Sequence, residues 1–326
     1  MNLQTPLTAH AGIEIPLICG AMYPCSNPEL VAAVSAAGGL GVVQPVSMTY
    51  VHGHGYREGL RLIRRLTDKP IGMNALIEKS SKRYMDRMVE WVDVSLEEGV
   101  RFFITSLGNP RWVVDRVRAA GGIVYHDITE RAWGQKAADG GVHGLICVNN
   151  RAGGHAGRRS AQELVDACGD LGLPLVCAGG IGDAPDFVAA LTLGYAGVQM
   201  GTRFIATTEC SSRGDYKQAI VDADEADITL TERVTGVPIA VIRTPYVERI
   251  GTTIGPIARM LFRRRRTKHW MRTFYALRSL YKMKKDSVTG SGVGEYWQAG
   301  RSVAGIHGIE PAGEIVRRFS EAALGA

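Results

Sequence analysis

Paired cysteines are missing from this sequence: Cys19, Cys25, Cys147, Cys168, Cys177 and Cys210 form no C-x-x-C unit. Several lie inside apolar runs such as PLICG, GLICV and PLVCA, where a thiol reads as a small buried hydrophobe. The scatter argues against a disulfide framework and against zinc, which needs clustered Cys and His ligands, so no metal site is expected. No apolar run is long enough to span a bilayer. The opening MNLQTPLTAHAGIEIP lacks the marks of a secretion or transit peptide. A cytoplasmic chain without a membrane span is expected. Neither G-x-G-x-x-G nor G-x-x-x-x-G-K-[ST] occurs, which removes the usual dinucleotide and P-loop signatures.

What is present suits a globular enzyme: 326 residues, 45% hydrophobic and 21% charged. The length fits one α/β barrel. The net charge of +6 is local, because residues 255–285 hold eleven Lys and Arg and no acid, leaving −5 on the remainder.

Eight apolar β-type runs recur, namely IPLICG, LGVVQ, IGMNALI, RFFIT, GIVYH, GLICVN, PLVCAGG and AGVQMG, each followed by a helix-like stretch. Their spacing is roughly 25 residues, the size of a βα unit. Helix starts are expected at Asn27-Pro28, at Ser80-Ser81, and at Ser160 with Glu163 completing a capping box. Apolar strands alternating with amphipathic helices predict a parallel sheet covered by helices, best closed as a TIM (β/α)8 barrel that ends near Gly201. An open doubly wound sheet is the alternative. We expect a barrel core over 1–215 and a mostly helical C-terminal extension over 216–326, packed on it and carrying the basic segment 255–285.

In such a barrel the site lies where strands give way to βα loops. There the sequence reads Gly20-Ala21-Met22, Gln44, Asn74, Ser106, His126, Asn149, Gly179-Gly180 and Gly201-Thr202. Small residues and amides suit a planar polar ring and a phosphate better than a divalent metal. In Ala152-Gly153-Gly154-His155-Ala156-Gly157, glycines surround one imidazole, a group suited to moving protons near neutral pH. A merely solvated loop histidine is the plainer reading. Strands seven and eight both end in glycine and enter helices, the habitual phosphate site of barrels.

The order of G-A-M, AAVSAAGGLG, PIGMNAL, AGGHAG, AGGIGD and GVQMGTRF-x-x-T-x-E, resumed at WQAGRSVAGI, resembles the nitronate monooxygenase family. Related flavin-dependent enoyl-carrier-protein reductases and NADH:quinone reductases share these motifs. The resemblance implies FMN across the barrel mouth, with Gly20, Ala21, Met22 and Asn74 near the ring, together with His126, Gly153, Gly154 and Ala178. Its phosphate would rest on Gly179, Gly180, Gly201 and Thr202, and Gln199 would either bond the ring or point into the barrel. His155 matches the family's catalytic histidine. Two departures bear on the substrate: Arg151 stands where an acid is frequent, and His126 stands at the end of strand five, where some relatives have a lysine near the flavin.

Asn150 and Arg151 are the expected substrate contacts, Arg151 favouring an anion if buried. His52 and His54 lie after strand two as further candidates. Within 255–285, Trp270, Phe274, Leu277 and Tyr281 give one apolar helix face, with Arg263 to Arg266, Lys282, Lys284 and Lys285 left to water. The competing readings are contact with coenzyme A or an acidic carrier protein, a membrane surface, or nucleic acid. No nucleic-acid signature is present; a homodimer is an open expectation. The resemblance implies oxidative denitrification of alkyl nitronates with O2, His155 assisting proton transfer. The alternative is NAD(P)H-dependent reduction of an enoyl thioester of coenzyme A or carrier protein, and a third reading is a non-catalytic flavin-binding protein.

Overall fold

The computed structural model describes residues 1–78, 81–233, 236–255, 281, 284–289 and 296–326. Eight parallel strands close into a barrel in sequence order: β1 (Leu17–Cys19), β2 (Leu40–Val43), β3 (Ile71–Leu76), β4 (Phe102–Ser106), β5 (Ile123–Ile128), β6 (Gly144–Val148), β7 (Leu175–Ala178) and β8 (Gly197–Met200). Each arises from one of the eight predicted apolar runs. Closure is made by β1 on β8, Ile18 facing Gln199 and Cys19 facing Met200. Both faces of every strand are covered, which is why these runs are apolar almost throughout instead of alternating.

Helix α1 (Pro6–Ala11) precedes the barrel, and α2 (Pro28–Ala36), α3 (Tyr56–Leu66), α4 (Lys82–Glu97), α5 (Arg111–Ala119), α6 (Arg131–Asp139), α7 (Ala161–Cys168) and α8 (Ala184–Thr192) each follow a strand. The expected Ser160 capping box forms: its hydroxyl accepts from Glu163 N at 3.2 Å, and its amide donates to Glu163 Oε2 at 2.7 Å. Ser81 caps α4, which buries Met88, Trp91 and Val92 on one face. Asn27 stands at the start of α2 but makes no side-chain cap. Its amide is drawn into a tertiary contact, donating to Glu209 O at 2.9 Å and accepting from Ser211 N at 3.1 Å.

Beyond β8 come α9 (Thr202–Ile205), α10 (Gly214–Asp222), an antiparallel pair β9 (Ile228–Thr231) and β10 (Ile239–Ile242), α11 (Pro245–Ile250) and a last helix, Ala312–Gly325. Among the described residues the extension combines these helices with that hairpin. The last helix packs on α2 and α8, and Glu209 Oε2 accepts from its first amide, Ala312 N, at 2.9 Å. Buried Arg203 ties the same region down, donating to Ala206 O at 2.8 Å and Gly308 O at 2.7 Å. All six cysteines are buried and free. Among the described residues no helix is long and apolar enough to cross a membrane.

Candidate functional site

The strand register fixes what faces the interior. With a stagger of about one residue per strand, the inward side chains fall into layers supplied by alternate strands. Ile18, Gly72, Tyr125 and Val176 form one layer, Val42, Ile104, Ile146 and Gln199 the next, and Gly20, Asn74, Asp127 and Ala178 the one at the mouth. The apolar members of these layers belong to one buried cluster, whereas Phe103, Val124 and Ile128 belong to the outer cluster under the helices. Gly20 leaves room for Gln199, since a Cβ at 20 would stand 2.9 Å from Gln199 Cγ. Gln199 Oε1 and Asp127 Oδ1 are both shut off from water without a protein donor. Desolvation pushes the Asp127 carboxyl up to about 7.

The loop after β6 carries the histidine. Asn149, buried in that loop, organises it: its Nδ2 donates to Gly179 O at 2.8 Å and its Oδ1 accepts from Arg151 N at 2.8 Å. Gly157 is forced by proximity, because a Cβ there would lie 2.3 Å from Val148 O. Gly154, at φ +65°, accepts from Ala240 N of β10 at 2.8 Å. A Cβ on Gly153 would approach Gly300 N to 2.9 Å, and Gly300 N donates to Thr202 Oγ1 at 3.0 Å. Residues 298–301 and β10 thus clamp the loop. His155 is exposed at its tip, while the protein beneath desolvates the ring and lowers its pKa, favouring neutral imidazole at neutral pH.

Beside this loop lie the glycines after β7 and β8. Gly179 has φ +116°, and a Cβ there would come within 2.4 Å of Asn149 Oδ1. Gly180 has φ +81° and lies under the Arg151 side chain, so that a Cβ there would stand 2.7 Å from Arg151 Nε. Among the described residues the amides of Gly179, Gly180 and Gly201 donate to no protein acceptor. Such inward-turned N–H groups make an anion cradle. The start of α8 offers less, because Asp183 caps it and Asp186 Oδ2 accepts from Gly182 N at 2.9 Å. Gly201 adjoins Met22 Sδ, 3.4 Å from a Cβ built at 201, so the loops after β1 and β8 meet.

Gly20, Ala21, Met22, Asn74, Ala178, Gln199, Gly201 and Thr202 therefore gather at one end of the barrel, with Gly153, Gly154 and His155 beside Thr202 through Gly300. Three expected residues do not join them. His126 faces outward: strand alternation puts it beside Thr105, whose Oγ1 is 2.8 Å from its Nδ1, and desolvation lowers its imidazole to about 4. The inward residue at that strand end is Asp127. Arg151 is half-exposed and turns to Glu225, with 2.8 Å between Nη1 and Oε1, and Arg301 reaches the same oxygen at 3.4 Å. It is neither buried nor unpaired. Asn150 is exposed, its amide held by Arg159 O at 2.8 Å, and the organising amide is its neighbour Asn149.

His52 is half-buried and His54 is bonded through its backbone amide to Met48 O at 3.1 Å. Trp270, Phe274, Leu277, Arg263 to Arg266 and Lys282 lie outside the described residues. Of the basic segment's end, Lys284 Nζ donates to Tyr50 O at 2.6 Å, in the loop after β2. The sequence reading missed Asp127, Asn149 as the loop's organiser, and the clamp of 298–301. Only the WQAG motif carried a signal for the last of these.

The family model described as nitronate monooxygenase matches residues 4–320. The (3aS,4S,5R,7aS)-5-hydroxy-7a-methyl-1-oxo-octahydro-1H-indene-4-carboxyl-CoA dehydrogenase of Mycobacterium tuberculosis is 33% identical over 254 residues, 77% of this chain and 69% of that protein. A probable nitronate monooxygenase of Staphylococcus saprophyticus is 28% identical over 295 residues, 77% of this chain and 81% of that protein. Among solved structures, FabK from Thermotoga maritima superposes with a TM-score of 0.80 at 27% identity, covering 99% of this chain and 97% of that one.

Proposed function

Because the chain belongs to the nitronate monooxygenase family, we propose that it is an FMN-dependent oxidoreductase acting on a carbon made acidic by a neighbouring electron-withdrawing group. The observation that carries this reading is the convergence, at one end of the barrel, of the free amides of Gly179, Gly180 and Gly201, the undonated Gln199 Oε1 and the clamped His155 loop. These residues fit the cofactor. The free amides and the Thr202 hydroxyl would hold its phosphate; Gln199, Asn74 and the Gly20-Ala21-Met22 turn would lie against its ring. Bound there, FMN supplies a place for an electron pair to arrive or depart.

The remaining work belongs to the protein. His155, favoured as neutral imidazole, takes a proton from substrate carbon in the oxidative direction and returns it in the reductive one. Gln298, Gly300 and Ala240 hold the loop that carries it beside the mouth, so residues of the extension would complete the site that the 1–215 core begins. A fixed loop lowers the ordering cost of bringing base and carbon together.

Two substrate classes share this chemistry. A coenzyme A thioester, with NAD(P)H as the reductant if reduction is the direction, is favoured by the relative at 33% identity, whose name specifies a carboxyl-CoA substrate. An alkyl nitronate oxidised with O2 is favoured by the family name and the relative at 28%. We place the thioester first. The test is anaerobic rapid mixing of FMN-loaded protein with an acyl-coenzyme A, an alkyl nitronate, NADH and NADPH in turn. Rapid bleaching of the flavin by a nicotinamide, reversed by an enoyl thioester, or rapid bleaching by a saturated acyl-coenzyme A, supports the thioester. Response to the nitronate alone reverses the order, and failure to take up FMN removes the cofactor.

A further inference from the structure

The mouth layer contains one ionisable side chain, and the chemistry above gives it no task. Asp127 shares its layer with Gly20, Asn74 and Ala178. None of these carries a charge, and two have at most a methyl group. Asp127 is half-buried as a residue, yet its Oδ1 is closed to water and meets no donor. A carboxylate in that position loses hydration and gains nothing in return, whereas a carboxylic acid has an O–H to give.

The elements packed against it supply no cation. On β4 the inward neighbours are Ile104 and Ser106, and on β6 they are Ile146 and Val148. The titratable groups close by are Tyr125 one layer below on the same strand, His126 on the outer face, Cys147 on the outer face of β6, and His155 in the loop after β6. The tyrosine and the cysteine thiol are both pushed up by desolvation, and both imidazoles are lowered by it, so all four are favoured in the uncharged form at neutral pH. The inward positions at the mouth ends of the eight strands, Gly20, Gln44, Asn74, Ser106, Asp127, Val148, Gly180 and Gly201, include no lysine or arginine, and Arg151, which lies over Gly180, is paired with Glu225.

We infer that Asp127 is a further ligand-binding residue of this site, a carboxylic acid that keeps its proton and donates it to an electron-rich oxygen or nitrogen seated on the Gly20, Asn74 and Ala178 layer. The inference rests on the reading of the mouth as the ligand site. The acceptor belongs either to the cofactor ring or to a substrate carbonyl, and both have the same chemistry. Ligand binding is then coupled to one proton: it is strong while the acid is protonated and weakens as pH rises and the acid ionises.

The experiment titrates binding, not turnover. Apo-protein is mixed with FMN from pH 5.5 to 9 and flavin fluorescence quenching gives the affinity; loaded protein is then titrated with an acyl-coenzyme A over the same range. Wild type, Asp127→Asn and Asp127→Ala are compared, with near-ultraviolet circular dichroism reporting the fold. In the arm that holds the acceptor, wild-type affinity falls about tenfold per pH unit above the ionisation, the loss expected for one coupled proton. Asp127→Asn, which keeps a donor but cannot ionise, stays near the low-pH wild-type value throughout, and Asp127→Ala is weaker and pH-independent. A slope in the FMN arm assigns the acceptor to the cofactor, and one confined to the acyl-coenzyme A arm assigns it to substrate. If both variants retain the wild-type slope, or wild type has none in either arm, the inference is overturned. If wild-type protein takes up no FMN at any pH, the cofactor reading fails separately. The infrared carbonyl band of the protonated acid then decides on ligand-free protein: present near neutral pH and lost in Asp127→Asn, it upholds the proton-holding group, while titration in the ordinary carboxylate range overturns it.

Discussion

The two ends of the barrel are built on opposite terms. At the closed end, α1 acts as a plug: Leu7 is fully buried, and Gly197 is bare because a Cβ there would stand 2.4 Å from Leu7 Cδ2. Polar groups there are matched, with Tyr125 OH 3.0 Å from His10 Nδ1 and Val124 N donating to His143 Nδ1 at 3.1 Å. Gly144 makes space for the Tyr125 ring, whose Cζ is 2.3 Å from a Cβ built at 144. At the open end, among the described residues, amides, a carboxyl oxygen and an amide oxygen are left without partners. Stability is concentrated where polar groups are satisfied. Unsatisfied groups gather where a ligand is to satisfy them.

The largest separation between the ends is expected from His155→Ala. Turnover of the true substrate should fall about 10²- to 10⁴-fold, the usual worth of a general acid–base group, with the melting temperature unchanged; steady-state kinetics and calorimetry on one preparation check both. Leu7→Ala should do the reverse, costing about 2–5 kcal/mol in denaturant unfolding through its cavity while FMN affinity per folded molecule is retained. Loss of FMN binding at full folded signal would break the contrast.

On β5 the contrast is carried by adjacent residues. His126 is buried on the outer face with its folded pKa lowered to about 4 by desolvation, so the unfolded chain binds the extra proton. Stability is complete above about pH 6.5 and is lost as pH falls toward 4, by on the order of 3 kcal/mol. Asp127 is raised to about 7, so ligand-free protein loses stability as pH rises from about 4 through 7. The two windows overlap with opposite sign, so urea unfolding of wild type should be nearly flat from pH 4 to 7, while His126→Gln should lose stability as pH rises across that range and Asp127→Asn should gain it.

Gln199→Ala should weaken FMN about tenfold, the scale of one or two hydrogen bonds, and leave stability unchanged or slightly raised, since it removes an undonated oxygen. Equilibrium dialysis and thermal unfolding read the two effects. Arg151→Gln is expected to be the mildest, within about 1 kcal/mol of wild-type stability, because its pair with Glu225 is partly exposed.

The eight strands and the glycine loops were legible because parallel barrel strands are apolar on both faces and their loops need small residues. That same feature hid which way each residue points. His126 and Asp127 differ by one position, and a period of two sends them to opposite faces, so nearness to a strand end does not tell which of them faces the interior. Within GVQMGTRF-x-x-T-x-E, Gly201 and Thr202 belong to the mouth, but Arg203 and Glu209 hold the C-terminal segment, a division no motif announces. Helix α1 was missed because six residues with two apolar anchors give too short a period to detect, and β9 and β10 because their pairing spans a loop without hairpin turn chemistry.

The clamp on the histidine loop also bears on how the molecule is assembled. Gly154 is bonded to Ala240, Gly153 is wedged against Gly300, and Arg301 N donates to Arg151 O at 2.9 Å. These partners lie roughly 85 to 150 positions downstream. Closing such distant contacts is slow and comes late, so a nascent chain can complete its βα repeats while the histidine is still unplaced. Competence for catalysis should then lag behind the recovery of helical circular dichroism during refolding, and a chain cut before residue 296 should form a barrel that never becomes an enzyme.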